Sequence, residues 1–315
     1  QAARTLRLRL ASLYLQRQDL FEAERVLDDL IKDFPGDFEV RLTLAKLRLD
    51  EAQRLENGTD TPAAGDARVQ AARIADEAVE TLQMLNVSHP DNMEIRVLLA
   101  MALPQRAVRV AQGLSGATLV RASDRQREVT DLLNQARALF ETVELKRASD
   151  RLLLEAEMIL NGVVARSALG MEQDAVAEQQ RAERLVIQAV ESDPENARAL
   201  VTLMRFALQR QDMFTALGQG ERAMALDPAL RPQIASLFQR AGLLDRAAGI
   251  LYDVIEEHPD LPAPRLQLVG IEMDRGNAAK ALEMLEVLIA EHDRMPELQI
   301  IKSRALMLAS QPQRA

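Results

Sequence analysis

One spacing recurs along this chain and constrains its fold more than any other feature. In LFEAERVLDDLIKDFPGD, residues 20–37, Ala23 is followed by Leu27, Leu30 and Pro35. In LLDRAAGILYDVIEEHPD, residues 243–260, Ala247, Leu251, Val254 and Pro259 keep the same steps of four, three and five. Steps of four and three place residues on one helix face. Proline has no N–H and forces the residue before it out of the helical region, so it stops the helix. The pattern returns as Ala78, Leu82, Leu85 and Pro90, as Ala182, Val186, Ala189 and Pro194, and as Ala216, Gly220, Ala223 and Pro228. Ala281, Leu285 and Leu288 fit with Asp293 in the proline's place, and Ala136, Phe140, Val143 and Ala148 form a weaker copy. A helical pattern that returns at a fixed period is the mark of a repeat architecture.

The period is legible. Pro194 to Pro228 is 34 residues, Pro259 to Asp293 is 34 again, and Pro228 to Pro259 is 31. The earlier intervals are 55, 58 and 46, so three repeats carry insertions of about 21, 24 and 12 residues over a helix-pair period near 34. A preceding helix has its own pattern: Leu10, Ala11 and Tyr14 in the first repeat, and Leu99, Ala100 and Leu103 in the third. In the second it is Leu44 and Ala45, with Arg48 where the aromatic belongs. Each repeat is then two helices. A small residue in each lets the backbones approach closely.

These residues resemble the tetratricopeptide repeat (TPR) family, through the Ala/Leu/Pro series and the Leu-Ala-x-x-Tyr of residues 10–14. The resemblance is strongest at 4–37 and 197–295 and weakest at 104–175. No Trp opens any repeat, and the family's frequent Gly in the first helix is Ala or larger. The resemblance implies an all-α, right-handed α-solenoid of about seven helix pairs, with insertions in pairs two to four. The expected division of a single 1–315 array is 4–37, 38–92, 93–150, 151–196, 197–230, 231–261 and 262–295, with 296–315 beginning an eighth pair. In that last segment Leu298, Ile301, Ala305 and Leu308 give one apolar stripe, while Ile300 and Met307 add a second edge. This predicts a helix over 297–310 and a chain that continues past residue 315.

Composition narrows the function. The net charge is −9 and aromatics are 3%, which argues against nucleic acid, whose partners need a basic footprint and stacking rings. No apolar run approaches the roughly 18 residues of a membrane span, so no direct membrane insertion is expected. Cysteine is absent, excluding disulfides, thiolate nucleophiles and cysteine–metal sites. That absence tilts the reading between bacterial cytoplasm and cell envelope slightly toward the envelope.

The motifs mostly resolve into architecture. His89-Pro90-Asp91 and His258-Pro259-Asp260 match the HPD of J-domain co-chaperones, but both sit at the repeat's own helix stop. Gly113-Leu114-Ser115-Gly116-Ala117 lacks the final Gly and the strand of a nucleophile elbow, and reads as an insertion loop. Arg106, Arg109, Arg121, Arg125 and Arg127 make the surrounding stretch the most basic in the chain. They read as a solvated helix face, with contact to an acidic partner as the second reading. Residues 56–66, ENGTDTPAAGD, read as a mobile loop. No Walker A loop, GxGxxG or HExxH is present, and the carboxylates are spread along helices. No enzymatic site, cofactor, metal or small-molecule ligand is expected.

The resemblance implies a protein or peptide partner held on the concave face, contacted by outward positions of the first helices. Those positions include Ser12, Gln16, Lys46, Arg198, Arg205 and Gln239. The family's Lys/Asn/Arg clamp for chaperone C-terminal carboxylates is missing, because Leu8 and Ser12 occupy its positions in the first repeat. The expected function is a non-catalytic scaffold for a peptide or helix. The alternative is a sensor or docking region of a larger regulator or enzyme.

Overall fold

The computed structural model describes residues 2–16, 20–57, 64–115, 121–291 and 297–310. Among these residues it is built of helices and the turns between them, with no strand. The helices are α1 (Ala2–Gln16), α2 (Leu20–Asp33), α3 (Phe38–Asn57), α4 (Ala64–Ser88), α5 (Met93–Ala111), α6 (Ala122–Glu141), α7 (Ala148–Ala168) and α8 (Glu172–Ser192). They continue as α9 (Ala197–Gln209), α10 (Met213–Leu226), α11 (Arg231–Arg240), α12 (Leu244–Glu257), α13 (Pro262–Asp274), α14 (Ala278–Glu291) and α15 (Glu297–Ser310). A short 3-10 turn, Pro228–Leu230, precedes α11. The chain forms two compact bodies, residues 1–189 and 190–315.

The recurrent alanines sit where they were expected, at sealed contacts. Ala23, Ala78, Ala136, Ala182, Ala216, Ala247 and Ala281 are all fully buried, as are Ala11, Ala100 and Ala235 on first helices. Larger residues close around them. In the first body Leu27, Leu30, Val40, Leu44 and Leu47 join Ala11 and Ala23 in one cluster. In the second, Leu200, Met204, Ile234, Phe238 and Leu251 pack with Ala216, Ala223 and Ala247. Gly220 fills a first-repeat-Leu position for a spatial reason. A Cβ there would lie 3.2 Å from the Met204 sulfur and 3.4 Å from Phe238 Cζ. The large Met on the first helix is matched by the smallest residue on the second. Leu10 departs from its expected core role and is 41% exposed.

The prolines do stop helices. α2, α4, α8, α10 and α12 each end two residues before Pro35, Pro90, Pro194, Pro228 or Pro259. The residue two after the proline then starts the next helix. Asp37 accepts from the Val40 amide at 3.2 Å, Asn92 from Ile95 at 3.2 Å, and Asn196 from Ala199 at 3.1 Å. At these three, stop and N-cap are one three-residue device, Pro-x-Asp/Asn, whereas Leu230 and Leu261 hold that position after Pro228 and Pro259 and give no side-chain cap. The weak copy fails here: α6 ends at Glu141 and Ala148 is already the first residue of α7, so Ala148 is a start and not a stop. Asp293, its counterpart in the seventh pair, lies outside the described residues.

The insertions are mostly helix. α3 to α8 run 20, 25, 19, 20, 21 and 21 residues, whereas α9, α10, α12, α13 and α14 run 13 or 14. The expected loop at 56–66 is correspondingly shorter: α3 reaches Asn57 and α4 begins at Ala64, while 58–63 lie outside the described residues. Among the described residues, the turns from first to second helix share a left-handed residue, at Gly113, Gly170, Gly242 and Gly276, and at Gln211 with φ 60°. In each, an amide beyond it reaches back five residues, as Leu114 N to Arg109 O at 2.8 Å and Leu243 N to Phe238 O at 2.9 Å. This is the Schellman closure that satisfies the last helical carbonyls. Gly113-Leu114-Ser115 is therefore a helix cap, while Gly116-Ala117 lie outside the described residues.

Candidate binding surface

The six sequence-predicted contact residues fall on first helices, in differing states. Ser12 is exposed on α1, its hydroxyl donating to Leu8 O at 3.0 Å. Gln16 ends α1, and its side chain lies outside the described residues. Lys46 on α3 is engaged by Glu94 of α5, so it bridges neighbouring first helices. Gln239 on α11 donates to Asp274 of α13 at 2.6 Å, a bridge of the same kind. Arg198 and Arg205 are both exposed on α9, seven residues apart, on one face. Arg205 forms no ion pair among the described residues.

Arg48 explains why an aromatic is dispensable at its position. Its guanidinium lies 3.4 Å from Glu24 and 3.6 Å from Asp28 on α2, and 3.3 Å from Glu77 on α4. One planar five-donor fork spans three helices, replacing apolar filling with charge.

The basic stretch is only in part the solvated face that its composition implies. Arg106 and Arg109 turn inward from α5. Arg106 Nε lies 3.6 Å from Asp76 Oδ1, and Arg109 Nη1 lies 3.4 Å from Glu56 Oε1. Arg109 is only 4% exposed. Burial pushes its pKa down, against the raising effect of Glu56 and Asp76. Among the described residues its Nε and Nη2 have no hydrogen-bond partner, and neither does the buried Ser115 hydroxyl. Arg121 and Arg127 remain exposed on either side of the start of α6.

Arg109 forms part of the wall of a cavity of about 590 Å³. α3 contributes Gln53 and Glu56, α4 contributes Arg68, α5 contributes Gln105, Val108 and Arg109, and α7 contributes Asn161 and Val164. Sequence reasoning missed this feature. Its one local signal is PQRAVRVAQ, residues 104–112, where polar residues break the apolar run of α5.

A second polar centre is structural. Glu272 of α13 is fully buried, and its carboxylate accepts from Arg275 at 2.8 Å, Asn277 at 2.8 Å and Lys280 at 3.0 Å. Burial would raise its pKa, but the hydrogen bonds from Asn277 and Lys280, with the Lys280 charge, hold it below the usual carboxylate range. The two HPD motifs are helix ends: His89 N donates to Leu85 O and His258 N to Val254 O. No group of metal-binding side chains occurs among the described residues, and no described helix is long and apolar enough to cross a membrane.

Two segments match tetratricopeptide repeat family models, residues 6–37 and residues 239–305. No curated protein matches the sequence. Among solved structures, the chain is similar to a tetratricopeptide repeat protein from Parabacteroides merdae at 12% identity and a TM-score of 0.47, covering 97% of this chain and 100% of that one. It is also similar to PilW, a type IV pilus biogenesis factor, at 17% identity and 0.34, covering 96% and 99%. Yeast Tom70 follows at 12% identity and 0.38, covering 98% and 82%. At these scores the likenesses bear on neither function nor partner.

Proposed function

We propose that this protein, a tetratricopeptide-repeat protein, is a non-catalytic scaffold that holds a peptide or helix of another protein on the concave face of its first helices. The repeat itself carries this reading: family models match near both ends of the chain, and helix pairs of this kind present side chains for recognition rather than chemistry. The proposed contact lies on the fifth and sixth pairs, where Arg198 and Arg205 project from α9 on one exposed face. The rest of the chain is acidic overall, so this pair would favour an acidic stretch of partner. Attraction of this sort weakens as salt screens it.

The test is an affinity capture with the intact chain, identification of what is retained, and a repeat with the double change Arg198→Glu and Arg205→Glu. The wild type should retain a specific protein, and the reversed pair should lose at least about tenfold in affinity, given two opposed charges at an interface. Circular dichroism should be unchanged, because both positions are exposed. Equal retention by the two proteins would remove the site from α9.

A further inference from the structure

Helix α1 carries two apolar faces. One is used inside its own pair, where Ala11 is fully buried and Leu8 and Tyr14 pack against the cluster shared with α2 and α3. The other is a stripe of Leu6, Leu10 and Leu13, at steps of four and three. This stripe is open: Leu6 is 66% exposed and Leu13 54%. Large apolar side chains grouped on an exposed face mark a place of contact.

The later repeats show what covers such a stripe. On α3 the equivalent residues are Val40, Leu44 and Leu47, all buried in one cluster with Leu27 and Leu30 of α2. On α13 the residues matching Leu10 and Leu13 are Leu268 and Ile271, buried with Ala247 and Leu251 of α12. In both, the cover is an amphipathic second helix. In both, that helix is also acidic: α2 and α12 each carry three more acidic than basic residues. The charge on α1 is of the opposite sign. Its charged residues are Arg4, Arg7 and Arg9, with no acid among them. Asp37 and Glu39 engage Arg4, and Asp33 engages Arg7. Arg9 flanks the leucine stripe, is exposed, and forms no ion pair among the described residues.

We propose that Leu6, Leu10 and Leu13 form a docking surface for an acidic amphipathic helix of another protein, with Arg9 pairing one of its carboxylates. A second copy of this chain does not supply that helix from α2 or α12, whose apolar faces are already sealed against α3 and α13. The leucines supply buried area, as in other helix-on-groove contacts. The arginine supplies preference for an acid and its register.

The surface is separate from the scaffold contact on α9, so each is tested by itself. The probe is a capped, fluorescein-labelled peptide of the chain's own α2, residues 20–34, LFEAERVLDDLIKDF. It is the helix that seals the equivalent stripe on α3. Fluorescence anisotropy with the full chain should show saturable binding. The same peptide with Leu27→Glu and Leu30→Glu should bind at least about tenfold more weakly, having lost its apolar stripe. In the protein, Leu6→Glu with Leu13→Glu should weaken binding by a similar factor. Arg9→Glu should weaken it at low salt, by a margin that shrinks as salt rises. All three positions are exposed, so circular dichroism and melting should not change; if the leucine double variant melts early, Arg9→Glu still decides. Absence of saturable binding overturns the proposal. So does unchanged binding in the leucine or arginine variants, which would mean that the peptide had displaced the chain's own α2 from α3. An anionic bilayer would meet the same side chains, so sedimentation with mixed phosphatidylserine and phosphatidylcholine vesicles is run alongside. Vesicle binding that Leu6→Glu with Leu13→Glu abolishes, in a chain that ignores the peptide, would overturn the helix in favour of a membrane surface.

Discussion

Gln211 occupies a backbone position that its neighbours in the fold give to glycine. The equivalent turns use Gly113, Gly170, Gly242 and Gly276, all near φ 75°, while Gln211 sits at φ 60°. A side chain in this region costs roughly 1–2 kcal/mol through its Cβ. Part of that is returned because glycine loses more freedom on folding. Gln211→Gly should therefore stabilise the protein by about 1 kcal/mol, and Gly242→Ala should destabilise it by a similar amount. Urea denaturation of both, with unchanged m-values, is the check. Glu272 gives a second prediction at this scale. Its folded pKa is depressed, so it stabilises the fold above the unfolded carboxylate value, near 4.3. That contribution is lost as pH falls through the lower folded value. Glu272→Gln should cost about 2 kcal/mol at neutral pH. The difference from wild type should shrink below about pH 4, where protonation removes the wild type's advantage. A gap that persists unchanged at low pH would mean that the charge is not the source. Neither residue was legible beforehand. Positive φ leaves no mark when the residue is Gln, and Glu272 is one of 48 acidic residues until its three donors converge from the next turn and helix.

At the scale of helices, what could be read from the chain was whatever has a period. The alanine and large-apolar positions repeat, so their burial followed, and so did the proline stops. The first-helix partner of each alanine repeats less strictly, and there packing compensates pairwise. Met204 on α9 faces Gly220 on α10, with Phe238 and Ile234 of α11 closing the contact. Restoring the usual large residue by Gly220→Leu should overpack this contact and cost more than about 2 kcal/mol. Met204→Ala alone should cost about 2 kcal/mol or more, by leaving a cavity. Combined, the two should destabilise by clearly less than their sum, a favourable coupling visible in a double-mutant cycle. Additive losses would mean that the two side chains do not share space. The insertions were the least legible elements. Their residues are good helix formers, and adding whole turns to both helices of a pair preserves the packed face. The period therefore lengthens without any loop signal, as α3 to α8 show. The cavity follows from that lengthening. Gln53, Glu56, Gln105 and Arg109 lie in the C-terminal halves of α3 and α5, beyond the residues that seal the helix contacts at Ala45 and Ala100.

At the scale of the whole chain, each compact body carries its own apolar clusters. Residues 200–271 share one cluster and residues 269–305 another, while Ala11 to Leu47 form a separate one. In repeat proteins stability is close to a sum of terms local to each repeat and its neighbours, so damage should stay local. Ala247 tests this. It is fully buried on α12, in the cluster with Ala235, Phe238 and Ile250. Ala247→Trp forces a large ring between two helix backbones and should cost at least about 3 kcal/mol. A globule with one cooperative core would pass that loss to every amide. Here, hydrogen exchange should speed up across α9 to α14 while protection in α1 to α6 stays near its wild-type level, because those helices seal their own contacts at Ala11, Ala23, Ala78 and Ala136. The thermal transition should correspondingly broaden or split, since two-state behaviour fails when parts of an array melt separately. Uniform loss of protection from α1 to α14 would show instead that the chain unfolds as a single unit. A change below about 1 kcal/mol, the low end of overpacking costs, would mean that Ala247 does not occupy the tight helix crossing its burial indicates.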